Sequence, residues 1–139
     1  VDVEDRISQK KKFYSCLKDI LKLYRNQTVS ARVDYIFTTD QYLLDVNQRF
    51  LNHDDFTDII TFDLSEDKEN LQSEIYISLE RVIENAHKHK VPFQNELFRV
   101  LSHGLLHLCG YNDKTLEEKR QMRRLEQECI LLFESAMNK

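Results

Sequence analysis

Glycine and proline are nearly absent from this chain, with two glycines and one proline in 139 residues. Flexible linkers are built from such residues, so the composition argues for one domain spanning residues 1–139. No run approaches the ~18 apolar residues of a membrane helix, and the N-terminal stretch lacks the apolar core of a signal peptide. The three cysteines, Cys16, Cys109 and Cys129, are odd in number and irregular in spacing, which excludes a disulfide framework. These absences predict a cytoplasmic protein with no membrane partner. A basic surplus is missing too. The formal net charge of −4 counts against a general, non-specific nucleic-acid binder. Local basic clusters exist at Lys10, Lys11 and Lys12, at Lys88 and Lys90, and at Lys119, Arg120, Arg123 and Arg124. Each reads as a solvated helix face.

What is present is clear periodicity. Phe13, Cys16, Leu17, Ile20 and Tyr24 recur at helical spacing and predict a helix from about Asp5 to Arg25. Val33, Tyr35 and Phe37 alternate with polar residues, as in a half-buried strand. Thr39 or Asp40 is placed to cap a helix carrying Tyr42, Leu43, Val46 and Phe50. Thr57 to Phe62 and Ile75 to Leu79 are rich in β-branched residues and read as strands. A helix opens at Ser78 or Leu79 and ends before Pro92. Another begins at Asn95 and stops at Gly110. Thr115 and Glu118 have the spacing of a capping box and start a last helix through Met122, Leu125, Cys129 and Phe133. The expected fold class is α+β. It is a small mixed sheet of about four strands packed with five or so helices, around a central buried helix.

That central helix carries the chemistry. From His103 the sequence reads HGLLHLCGYNDK. Leu97, Leu101, Leu105 and Leu108 share one face, and Val100 and Leu106 extend the apolar surface. His103 and His107 lie one turn apart beside the leucine stripe, where an i, i+4 pair of imidazoles can aim at one point. Gly110 permits a tight turn, so the chain can double back and present Asp113 as a third ligand. Two imidazoles and a carboxylate suit one Zn²⁺ per chain, and would also accept manganese or iron(II). The spacing is similar to that of the metzincin proteases, which place a glutamate base directly after the first histidine. Here that position is Gly104, so no general base is assigned. His87 and His89 sit at a helix end and read as exposed.

The chain resembles the YbeY family of bacterial metal-dependent endoribonucleases. The resemblance rests on NQRFLNHDDFTDIITF from Asn47 to Phe62, SEIYIS from Ser73 to Ser78, and ELFRVLSHGLLHLCGYND from Glu96 to Asp113. It implies a single-strand-specific nuclease acting in 16S rRNA 3′-end maturation and ribosome quality control. Its implied partners are ribosomal RNA, the small ribosomal subunit and ribosome-associated proteins. Three positions depart from the family pattern. The third ligand, usually histidine, is Asp113. An arginine suited to holding phosphate is replaced by Leu51, with Arg49 two residues away. A glycine–aspartate pair is Ser73-Glu74. Near the matching segments, the polar residues Thr57, Asp58, His53 and Lys114 are candidates for lining the cleft. Two other readings stay open: a metal-dependent hydrolase of another substrate, and a ribosome assembly factor whose metal is structural.

Overall fold

The computed structural model describes residues 7–51 and 57–138. His53 therefore lies outside the described residues, as does the N-terminal end of the first expected helix. The element order is α1 (Lys10–Tyr24), β1 (Ser30–Thr38), α2 (Asp40–Val46), a π-helical turn (Asn47–Leu51), β2 (Ile59–Asp63), β3 (Asn70–Ser78), α3 (Leu79–His89), α4 (Phe93–Leu108) and α5 (Leu116–Met137). No helix among the described residues is long and apolar enough to cross a membrane.

The described sheet has three strands where about four were expected, in the order β1-β3-β2. β3 pairs parallel with β1, Tyr35 facing Ile75, and antiparallel with β2, Ile59 facing Ile77. The sheet is therefore mixed, with β3 at its centre. β3 starts earlier than its β-branched residues suggested, because Ser73 occupies a buried site in its alternation. The Ser73 hydroxyl donates to the Phe62 carbonyl at 2.7 Å, which removes the cost of burying it.

The helices form where caps and apolar stripes agree. Thr39, Ser78 and Thr115 accept backbone N–H bonds at the starts of α2, α3 and α5. α4 opens at Phe93 rather than Asn95, because the Pro92 carbonyl accepts the Asn95 and Glu96 amides. Proline is tolerated there, outside the intrahelical ladder. α4 is the centre of the molecule. Leu97, Phe98, Val100, Leu101, Leu105 and Leu106 are all buried, packed against α1, α3, α5 and the sheet. Three phenylalanines tie α1, α4 and α5 together. Phe98 stacks on Phe133 with ring centroids 4.4 Å apart, and Phe13 meets both edge-on at 5.5 and 5.6 Å. Cys16 and Cys129 are buried in this core. A helix buried on nearly every side cannot rotate, so its one less-buried edge is held in a fixed direction.

Candidate metal centre

That edge carries His103 and His107. Gly110, with φ +98°, ends the helix in a left-handed turn that a side chain adopts only under strain. The Tyr111 amide donates to the Leu106 carbonyl at 3.1 Å and the Gly110 amide to the His107 carbonyl at 3.0 Å. This is the double bond pattern of a Schellman motif, and it reverses the chain sharply. Four residues later the Thr115–Glu118 capping box closes, with reciprocal bonds of 3.1 and 2.9 Å. Asp113 is held between these two anchors.

The structure brings the three side chains together, with one donor atom from each lying within 4.8 Å of the others. The two histidine Nε2 atoms are 3.0 Å apart, and Asp113 Oδ2 lies 3.2 Å from His103 Nε2 and 3.5 Å from His107 Nε2. Ligands around a tetrahedral zinc, at ~2.0–2.1 Å from it, stand roughly 3.3 Å from one another. The far side of each ring is also committed. His107 Nδ1–H donates to the Tyr111 carbonyl at 2.9 Å, and His103 Nδ1–H donates to Glu126 Oε2 at 2.6 Å. In the neutral rings both Nε2 atoms are then bare acceptors facing a carboxylate oxygen. Three lone pairs at such distances repel unless a cation lies among them, so this donor set fits a divalent metal.

Behind His103 runs a buried polar chain that periodicity alone did not reveal. Arg99 donates to both oxygens of Glu96, at 2.6 and 3.1 Å, and to Glu126 Oε1 at 2.8 Å. Glu96 and Glu126 are buried, at 2% and 7% exposure, and Arg99 supplies their counter-charge. A signal was present: Glu126 stands inside the apolar stripe of α5, between Leu125 and Cys129, where an unpartnered carboxylate would be costly. Burial alone would raise the Glu126 carboxyl, but the His103 hydrogen bond and the charges of His103 and Arg99 hold it below its usual range. Burial alone would lower His103, and it is outweighed by Glu126, Asp113 and Asp58, which raise it.

Two cavities meet at the donors. One, of about 940 Å³, is lined by Asn47, Thr57, Asp58, Thr61, His107 and Lys114, among others. The second, of about 320 Å³, lies against α5 and is lined by Arg99, Lys119, Met122, Arg123 and Glu126. Asp58, His103 and Asp113 belong to both. Of the polar candidates, Asp58, Thr57 and Lys114 thus reach the cleft. Thr57 also has a local role, its hydroxyl donating to the Ile59 carbonyl at 3.1 Å. Burial pushes the Asp58 carboxyl up, with partial relief from His103 and Arg99. His87 and His89 are exposed at the end of α3 and do not line either cavity.

Gly104 does not face the donors. A Cβ built there would lie 2.9 Å from Ile59 Cδ1 and 3.0 Å from Thr61 Oγ1, so the glycine lets α4 sit directly on β2. The glutamate that metzincins place after the first histidine has no room here. Burial also raises the half-buried Cys109 thiol, to about 11, and its sulfur is not among the converging donors.

Comparison with known proteins agrees with this architecture. The family described as Endoribonuclease YbeY matches residues 2–134. The endoribonuclease YbeY of Flavobacterium psychrophilum is 50% identical over 108 residues, covering 78% of this chain and 76% of that protein. That of Cytophaga hutchinsonii is 43% identical over 131 residues, covering 94% and 90%. The solution structure of TM1509 from Thermotoga maritima shares the fold, with a TM-score of 0.58 and 24% identity over 95% of this chain and 88% of that one. With the match running nearly from end to end, the chain belongs to the endoribonuclease YbeY family.

Proposed function

We propose that this protein is a zinc-dependent endoribonuclease that cuts single-stranded RNA, acting in 16S rRNA 3′-end maturation and ribosome quality control. In this reading it works in the cytoplasm as one domain, on ribosomal RNA carried by the small subunit. The observation that carries the reading is the convergence of His103 Nε2, His107 Nε2 and Asp113 Oδ2 at the meeting point of two cavities. It is supported by relatives that bear the name endoribonuclease. A zinc ion bound there would supply an activated water or Lewis acidity toward a phosphoryl oxygen.

The chain's own residues then divide the work. His103, His107 and Asp113 hold the ion. Glu126 and the Tyr111 carbonyl fix both rings with Nε2 presented inward. Asp58, which lines both cavities beside the donors and whose proton affinity burial raises, is the cleft carboxyl placed for proton transfer. The crowding at Gly104 disfavours a metzincin-type peptide hydrolase. Glu126 does not replace the missing base, since it is bonded behind the ring to His103 Nδ1 and Arg99.

The test is metal content by elemental mass spectrometry on protein purified without a histidine tag, followed by RNA cleavage. About one zinc per chain is expected, reduced in His107→Ala and Asp113→Ala without loss of folding. Cleavage should be chelator-sensitive and favour single-stranded over duplex RNA. A wild-type protein that binds small subunits but never cuts RNA would overturn the nuclease in favour of an assembly factor.

A further inference from the structure

The α5 side of the cleft holds more positive charge than the metal site uses. Arg99, Lys119 and Arg123 all line the smaller cavity, beside His103 and Asp113. Arg99 is spent on Glu96 and Glu126. Lys119 and Arg123 make no hydrogen bond or ion pair among the described residues. They stand four apart on α5, on one face of the helix. Like charges at that spacing destabilise a helix, and the carboxylates that could relieve them are occupied. Glu118 is closed into the capping box with Thr115, and Glu126 is bonded to Arg99 and His103.

The next pair along the helix is placed differently. Arg120 and Arg124 do not line the cavity and are exposed. Glu117 stands three residues before Arg120, and Glu128, which accepts from the Tyr24 hydroxyl, four residues after Arg124, but neither arginine makes an ion pair among the described residues. Two basic pairs of equal charge therefore share one helix. Only one faces the site.

A substrate phosphate would complete that pair. Asp58, Asp113 and Glu126 also line this cavity, so an RNA strand entering it meets carboxylates as well as cations. In a protein of net charge −4, cations beside the metal donors are needed to offset that repulsion. A lysine and an arginine can take different oxygens of one phosphodiester, the arginine with two N–H groups. We infer that Lys119 and Arg123 form a subsite for a backbone phosphate of single-stranded RNA, next to the bond that is cut. The inference rests on the nuclease reading above and names where the substrate's flanking backbone is held.

The test compares two double variants in the full-length, zinc-loaded protein: Lys119→Gln with Arg123→Gln, and Arg120→Gln with Arg124→Gln. Affinity is read by fluorescence anisotropy with a short 2′-O-methyl RNA across a salt series, and KM with the cleavable RNA. The first variant is expected to lose on the order of tenfold in affinity, with a comparable rise in KM. Its salt slope should shrink by about 1.4, from two lost contacts to a single strand. The second variant should change affinity by less than about twofold. Exchanging the pair, Lys119→Arg with Arg123→Lys, should keep most of the binding, which also guards against a folding defect. Equal losses in both glutamine variants would reduce the effect to overall charge and overturn the subsite, while leaving the nuclease intact. An unchanged affinity in the first variant would do the same. A wild-type protein that neither binds nor cuts RNA would remove both readings.

Discussion

Glu126 on α5 grips His103 on α4 from behind, with Oε2 accepting from Nδ1–H at 2.6 Å while Oε1 accepts from Arg99 at 2.8 Å. One buried carboxylate thus sets the tautomer and angle of one of the three converging donors and links it to a second helix. Carboxylates placed behind ligating histidines commonly govern metal affinity. Glu126→Gln keeps the shape but drops the charge and one of the two acceptor oxygens. Zinc affinity, read by competition with a chromogenic chelator, should fall about 10- to 100-fold while circular dichroism stays native. An unchanged affinity would mean that core packing alone orients His103.

Asp58 gives a pH signature. Burial is the main cause of its raised pKa, so the folded protein holds this proton more tightly than the unfolded chain does. The linkage follows from that sign. The protonated side chain is no burden below the ordinary carboxylate range. As pH rises through the raised folded value, stability is lost, and the penalty is complete above it. Asp58→Asn should therefore raise the melting temperature of the metal-free protein at about pH 8, with the gain vanishing toward about pH 4. Bound zinc, by stabilising the carboxylate, should shrink the gain. Thermal scans across pH check this, and a pH-independent difference would contradict it.

Gly104 is a packing requirement. The space beyond it is taken by Ile59, Thr61 and Ile75, and Thr61 is β-branched and stiff. Gly104→Val should destabilise the protein by ~2 kcal/mol or more through overpacking, measured by urea denaturation. Since the glycine does not face the donors, the folded fraction should still bind zinc.

Gly110 acts on the opposite side of the balance. A Cβ there meets nothing, but φ is +98°. Gly110→Ala should cost ~1–2 kcal/mol from backbone strain alone. The turn also aims the Tyr111 carbonyl at His107, so zinc affinity should fall along with stability. Gly110→Asn, which tolerates the left-handed region better, should show both effects more weakly.

Local geometry made much of this protein legible in its residues. The leucine stripe of α4, the imidazoles one turn apart, the glycine stop and the Thr115–Glu118 box each depend on neighbours a few positions away. Helical spacing fixes which residues share a face. Periodicity could not say what lies opposite that face. Glu126 is 23 positions from His103 and 27 from Arg99, and only the packing of α5 on α4 joins them. The closeness of β2 to Gly104 is likewise set by the sheet, as is the capture of Asp58 beside the donors. Lys119 and Arg123 read as a solvated basic face until the tertiary structure placed them at the cleft, with Arg120 and Arg124 outside it. The local pattern thus specified which side chains converge, His103, His107 and Asp113. The crossing of distant elements, governed by burial and packing, decided what holds those donors in place and what charge surrounds them.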